Sequence, residues 1–331
     1  MQAVFIEKPG GRLVVKETLI PDPGPGDVLI KITAAPINPS DIARIENVYG
    51  ETDMKNFIPG IEGSGTVIAA GKGLLPRLWL GKRVACSSGY STSGTWAEYM
   101  VTPAVMCFPL SSKVSDEQGS MTLVNPLTAL AFFEIVSRDR HKAIINNAAA
   151  SALGRMLELL GKKNNVPVIN IVRSKKQAEM LKLNGSAFVL NSTDTSFITD
   201  LGILSKKLKA TVFFDTVCNS DLPGIAEVLP ENSAVIIYGN RSGEERIMFN
   251  PRSLIDKKIK ISGFYLGSYT KENGIFKNMM NLMKVRHLMS TDLRIKIREK
   301  LPLNMVQEAV DKYLENMSEG KILLIPGLHI T

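Results

Sequence analysis

Cysteine and histidine are scarce. Cys86, Cys107 and Cys218 are scattered, as are His141, His287 and His329, and no C-x-x-C pair or ligand spacing links them. This argues against a disulfide scaffold and against a structural zinc site. Long apolar runs are missing too: none approaches the roughly 18 residues of a membrane span. The N-terminus runs directly into Gln2-Ala3-Val4-Phe5-Ile6, which reads as a strand and not as a signal peptide. A soluble, cytoplasmic protein with no membrane partner is expected. Aromatic residues make up only 6% of the chain. They do not interleave the late cations Lys271, Lys277, Lys284, Arg286, Arg294, Lys296, Arg298 and Lys300, as a single-strand nucleic-acid platform requires. No nucleic-acid partner is expected. The net charge of +8 then reflects solvated helix faces, or a cradle for the phosphates of a coenzyme A or carrier-protein substrate.

What is present is a globular composition. With 331 residues, 44% of them apolar and 22% charged, the chain can bury a full core and should divide into about two domains. Up to about residue 120 it shows short strand patterns at 4–6, 13–15, 28–32, 66–68 and 83–85, separated by turn residues such as Pro9-Gly10-Gly11 and Gly71-Lys72-Gly73. That is an all-β pattern, a small barrel or sandwich. After about residue 122, strands at 143–146, 168–172, 187–190, 211–214, 234–238 and 259–262 alternate with helical stretches, which argues a parallel, doubly wound sheet. From about 266 the pattern is mixed. It ends in Lys321-Ile322-Leu323-Leu324-Ile325, a strand able to rejoin the first part.

The stretch 142–163 carries the chemistry. A short apolar strand, 143–146, meets a helix whose Leu153, Met156, Leu157 and Leu160 share one face. Between them lie only small residues, Ala148 to Ser151, with Gly154 behind. Such a turn lets a backbone approach a ligand closely and points free helix N–H groups at an anion, as for a dinucleotide pyrophosphate. An Ala-rich turn is also simply good packing, and the next strand tips the balance. That strand, 168–172, ends at Arg173-Ser174-Lys175-Lys176, where an NAD-binding protein places a carboxylate for the ribose 2′-hydroxyl. Here the charge is reversed. Arg173, Lys175 and Lys176 suit a 2′-phosphate, and so NADPH; the alternative is an ordinary solvated helix start.

Together these features resemble the zinc-free branch of the medium-chain dehydrogenase/reductase superfamily, particularly its quinone oxidoreductases and 2-enoyl-thioester reductases. The motifs are Ala35-Pro36-Ile37-Asn38-Pro39-Ser40-Asp41, Gly60-Ile61-Glu62-Gly63-Ser64-Gly65, Val124-Asn125-Pro126-Leu127-Thr128-Ala129, Phe214-Asp215-Thr216-Val217 and Gly263-Phe264-Tyr265-Leu266. The resemblance implies a β-rich GroES-like catalytic domain, 1–122 completed by 266–331, and a Rossmann NADPH-binding domain, 123–265. Zinc-dependent relatives have a cysteine where Asn38 stands and a histidine where Ile61 stands, and neither residue here can supply a thiolate or imidazole, so no metal is expected.

By the same resemblance Ser151, Ala152, Leu153 and Gly154 hold the pyrophosphate. Asn125 and Thr128 seat the nicotinamide, and Tyr238, Gly239, Asn240, Phe264 and Leu266 line the cofactor. Ala152 replaces a family glycine, a substitution that matters if the backbone there is left-handed. Tyr49 matches a tyrosine that enoyl-thioester reductases keep near the nicotinamide, and Asn38 is placed to hydrogen-bond substrate or nicotinamide, or to act as a turn asparagine. The implied function is an NADPH-dependent, zinc-independent, homodimeric reductase of an activated C=C bond in a small molecule, a 2-enoyl thioester first. A quinone oxidoreductase and a nucleotide-binding protein with little catalysis are the alternatives.

Overall fold

A computed structural model describes residues 1–6, 8–46, 57–89 and 93–328. It resolves into two compact units, Met1–Leu127 with Ile275–Thr331, and Thr128–Gly274.

The first unit opens with the antiparallel pair β1 (Gln2–Ile6) and β2 (Leu13–Glu17). It continues through β3 (Asp27–Pro36), α1 (Pro39–Ile45), β4 (Glu62–Ala70), α2 (Leu74–Trp79), β5 (Arg83–Ser87), β6 (Tyr99–Pro103), β7 (Cys107–Pro109) and α3 (Asp116–Gly119). Helix α4 (Asn125–Arg138) carries the chain into the second unit. There β8 (Ala143–Asn146), α5 (Ala152–Asn164), β9 (Val168–Val172), α6 (Lys175–Leu183), β10 (Phe188–Asn191), α7 (Phe197–Leu208), β11 (Ala210–Asp215), α8 (Leu222–Val228), β12 (Ala234–Ile237), α9 (Pro251–Lys257) and β13 (Lys260–Gly263) alternate as the sequence pattern requires. The chain then runs through α10 (Leu266–Thr291), broken at Gly274 (φ 70°), into β14 (Ile297–Leu301), α11 (Val306–Glu315) and β15 (Lys321–Leu324).

In the second unit six parallel strands lie in the order β10-β9-β8-β11-β12-β13. Successive strands build outward from β8 in both directions, the doubly wound arrangement, so the turns after β8 and β11 flank the point where the order reverses. Strands β8 and β9 are buried along their whole length, which is why they read as unbroken apolar runs. Helix α5 buries Leu153, Met156, Leu157 and Leu160 and exposes its lysines, a one-sided stripe at helical spacing.

In the first unit β15 inserts between β14, parallel to it, and β3, antiparallel to it, with Leu323 opposite Pro36 and Leu324 opposite Ala35. The core collects Val28, Ile30 and Ile32 of β3, the fully buried Trp96, and Val306, Ala309, Val310 and Tyr313 of α11. Strand β4 is longer than the apolar pattern predicts because Gly63 and Gly65, which look like turn residues, sit inside it. A side chain at Gly65 would strike the Lys31 carbonyl of β3, so the glycine permits close strand approach.

Candidate functional site

The second unit gathers its predicted residues at the carboxyl ends of the parallel strands. After β8 the chain turns through Asn147, Ala148, Ala149 and Ala150, and Ser151 caps α5, its hydroxyl accepting from Gly154 N at 3.1 Å. Gly154 packs so closely on Ala149 that a methyl there would overlap the Ala149 backbone. The first-turn N–H groups of Ala152 and Leu153 find no acceptor among the described residues and face outward along the helix axis. The strained residue is Ala148, at φ 48°; Ala152 opens the helix without a positive φ. The loss of a family glycine at 152 therefore carries no left-handed penalty. Arg155, which sequence reasoning passed over, braces the turn: its Nε donates to Ala150 O at 3.1 Å, and its half-buried guanidinium is held below its ordinary pKa by desolvation.

One strand over, β9 ends at exposed Arg173, and Ser174 caps α6 by accepting from Gln177 N at 3.3 Å. Lys175 and Lys176 stand exposed in the first turn of that helix. Because β8 and β9 are parallel neighbours, the small-residue turn and these three cations share one rim. The helix ends and the cations all favour an anion there.

On the other side of the reversal point, Asp215 ends β11. Its buried Oδ1 accepts from Asn147 Nδ2 and from the N–H groups of Val217 (2.8 Å) and Cys218 (3.1 Å), while burial raises its pKa. Asn147 Oδ1 in turn accepts from Thr216 N at 2.9 Å, which locks the two turns together. Gly239 lies against Thr216, where any side chain would run into the hydroxyl. Tyr238 and Phe264 both lean edge-on against Phe132 of α4, at 5.0 and 4.9 Å between centroids, and Phe132 stacks on Phe214 at 4.0 Å. Burial pushes the Tyr238 phenol up and keeps it protonated. Asn240 is exposed and tied into its own loop, donating to Glu244 O at 2.9 Å. Leu266 opens α10, and Asn125 and the buried Thr128 occupy the first turn of α4.

Asn38 belongs to a centre of its own in the first unit. It is buried at the start of α1, and every polar group on it is used: its N–H donates to Asp41 Oδ2 (2.8 Å), its Nδ2 donates to Glu62 Oε1 (3.1 Å), and its Oδ1 accepts from Lys321 Nζ. Lys321 also donates to Ile37 O at 3.1 Å; Asp41 Oδ1 accepts from Ile61 N at 2.8 Å, and Glu62 Oε2 from Leu123 N and Val124 N at 2.9 Å each. Burial dominates the titration of all three charged groups. It lifts Asp41 to about 6 and Glu62 to about 7 and lowers Lys321 to about 8, each moderated by the opposite charges beside it. The donor set is wrong for zinc, since an ammonium group already supplies the positive charge. Cys86 and Cys107, opposite each other on β5 and β7, are buried free thiols pushed up by desolvation, Cys107 to about 12.

Tyr49 lies outside the described residues. Sequence reasoning missed Lys321 and Asp41, whose partners are far away in the chain or look like ordinary turn chemistry. Phe132 gave only a helical apolar signal.

Comparison with known proteins follows the same division. The alcohol dehydrogenase GroES-like domain family matches residues 24–112, and the zinc-binding dehydrogenase family matches 152–284. A mitochondrial enoyl-[acyl-carrier-protein] reductase of Arabidopsis thaliana is 28% identical over 297 residues, 87% of this chain and 77% of its own. A Mesorhizobium loti structure assigned as an NADPH:quinone reductase is 32% identical, covers 98% of both chains and superposes with a TM-score of 0.90. The Escherichia coli quinone oxidoreductase solved with NADPH has a TM-score of 0.87 over 98% of this chain and 100% of that one; at 20% identity this likeness is one of fold.

Proposed function

Because the chain belongs to the medium-chain dehydrogenase/reductase superfamily, as its resemblance to the quinone reductase spanning nearly all of both chains requires, we propose that it is an NADPH-dependent, zinc-independent reductase of an activated carbon–carbon double bond, with a 2-enoyl thioester favoured. The observation that carries the cofactor reading is the rim after β8 and β9, where a small-residue turn, two free N–H groups and three exposed cations stand together. The α5 N-terminus would receive the pyrophosphate, and Arg173, Lys175 and Lys176 the 2′-phosphate. Gly239, Tyr238 and Phe264 would form the flat wall along the rest of the dinucleotide. When bound, the nicotinamide supplies the hydride.

In an enoyl thioester the hydride adds at the β-carbon, negative charge collects on the thioester oxygen, and the α-carbon takes a proton. Tyr49 is proposed to donate a proton or hydrogen bond to that charge. Asn38, enclosed by Asp41, Glu62 and Lys321, acts as a positioning residue that fixes the start of α1. Enoyl reduction is favoured by the Val124–Ala129 and Gly263–Leu266 motifs and by the Arabidopsis relative; quinone reduction is the second reading, favoured by the higher identity to the Mesorhizobium structure. A homodimer belongs to the same proposal: β13 is the outermost strand of its sheet, with Lys260, Ser262 and Gly263 exposed.

One panel tests this. NADPH and NADH are titrated by nucleotide fluorescence against the wild type and Arg173→Ala, and turnover of enoyl thioesters and quinones is followed in the wild type and Tyr49→Phe. NADPH should bind in preference to NADH and lose about tenfold to a hundredfold in affinity in Arg173→Ala. Tyr49→Phe should lower enoyl turnover by roughly a hundredfold or more and spare quinone turnover. Equal affinity for both nucleotides, unaffected by Arg173→Ala, overturns the cofactor reading.

A further inference from the structure

Helix α2 carries apolar side chains on two adjacent faces, one turned inward and one outward. Leu75 and Trp79, one turn apart, pack into the core of the first unit. Leu74 and Leu78, also one turn apart, face outward with 78% and 55% of their surface exposed. Trp79 Nε1 donates to Ala104 O at 3.0 Å and so ties α2 to the short turn at Ala104–Met106, whose Val105 is 70% exposed. At the other end Gly81 N donates to Val67 O and Val67 N donates to Lys82 O, which sets exposed Leu80 beside exposed Ile68 of β4. These ties bring together neighbouring elements that carry the exposed aliphatic side chains of Leu74, Leu78, Leu80, Val105 and Ile68.

The charged residues carried by α2 and the turns that flank it are cations. Lys72, Arg77 and Lys82 are exposed beside the leucines, and none forms an ion pair among the described residues. No Asp or Glu occurs in the sequence between Glu62 and Glu98, nor from Tyr99 to Ser115. The acidic residues at the margin are on the segment packed against Gly71: Asp27, half exposed, which contributes a backbone carbonyl to Gly71, and exposed Asp22.

We propose that this surface docks the protein on an anionic lipid bilayer. The aliphatic side chains enter the boundary between headgroups and acyl chains, and Lys72, Arg77 and Lys82 meet the phosphates. Exposed aliphatic side chains beside unpaired cations need no shaped partner surface, and a bilayer accommodates them as they stand. Among the described residues no helix is long and apolar enough to cross a membrane, and this mode needs none. The expectation of no membrane partner rested on the lack of a span, which is a different feature. The proposal goes beyond the reductase reading and holds for either substrate.

The protein carries its own probe, because Trp79 lies under the surface and the other tryptophan, Trp96, is fully buried in the core. The full chain is titrated with phosphatidylcholine vesicles, with and without phosphatidylserine, at low and high salt, following tryptophan emission and co-sedimentation. Binding with a blue shift is expected on phosphatidylserine vesicles, weakening on the order of a hundredfold on phosphatidylcholine alone, since each cation near an anionic surface is worth roughly fivefold. Leu74→Ser/Leu78→Ser should weaken binding by about a hundredfold, and Lys72→Glu/Lys82→Glu should abolish the preference for phosphatidylserine, both with unchanged thermal midpoints. The proposal is overturned if the wild type ignores phosphatidylserine vesicles or if Leu74→Ser/Leu78→Ser binds as well as the wild type. It is equally overturned if, without lipid, that double variant converts a larger species to a smaller one in sedimentation velocity, because a second copy then covers the surface.

Discussion

Ala148 and Ala152 show how a residue's role depends on where the turn places its strain. The family-type glycine at 152 is replaced, but the left-handed position in this turn is four residues earlier, at Ala148. An alanine held at φ 48° costs about 1–2 kcal/mol, so Ala148→Gly should be neutral or stabilising by up to about 1 kcal/mol, where the same change in ordinary backbone destabilises. The midpoint of urea unfolding decides it; a clear loss of stability would mean that the turn does not strain this residue. Residue identity alone could not reveal this, because φ is set by how the turn closes onto β9 through Ala149 N and Ile171 O. Arg173, Lys175 and Lys176 were legible for the opposite reason: their charge and their place after an apolar strand are both written locally. Asn38 lies between. Its position was readable, but the sequence offered substrate contact and turn chemistry as alternatives, and its enclosure by three buried charged groups depends on β15.

At the scale of elements, β15 does more than complete a sheet. It carries Lys321 into a space holding Asp41 and Glu62, all three buried. Removing one partner of a buried charge set typically costs 3–5 kcal/mol, so Lys321→Met should lose roughly that much at neutral pH. The cost should shrink in acid. The folded state holds protons on Glu62 up to about 7 and on Asp41 up to about 6, against ordinary values of 4.5 and 3.8, so their contribution to stability falls as pH rises through that window. Without the ammonium both carboxyls bind protons more tightly still, and the fall becomes steeper. Lys321 acts with the opposite sign. Its folded value of about 8 lies below its ordinary 10.5, so its own contribution grows as pH rises between them, and the variant loses that growth. Urea unfolding of both proteins at about pH 5 and about pH 7.5 tests this, and an equal cost at the two pH values would refute it. Strands β8 and β9 were plain in the sequence because parallel, fully buried strands are continuous apolar runs. Short β7 and helix α2 were not: three residues carry no periodicity, and the six of α2, opened by adjacent Leu74 and Leu75 and crossed by Pro76, are too few to show a stripe.

For the molecule as a whole, the alternation of strands and helices announced the doubly wound sheet, and the Gly- and Pro-broken strands announced the β-rich unit. The first unit has a core cluster around Trp96 and Tyr313, and the second has one around Ile145, Ile169 and Phe213. A nucleotide that binds at the carboxyl edge of the parallel sheet stabilises the unit that holds it by mass action, about 2.7 kcal/mol at a hundred times its dissociation constant. Calorimetry with NADPH should therefore raise the transition of the parallel-sheet unit more than that of the β-rich unit. A uniform shift would show that the two melt as one.

The first unit also has an order of assembly imposed by synthesis. Asn38 and Lys321 are 283 residues apart, and between them the ribosome makes the entire parallel-sheet unit. At roughly 5–20 residues per second, Asp41 and Glu62 wait on the order of tens of seconds for their cation. The middle of the chain can finish folding while the beginning cannot, and over that interval an open β3 edge and two uncompensated carboxyls are what a chaperone would meet.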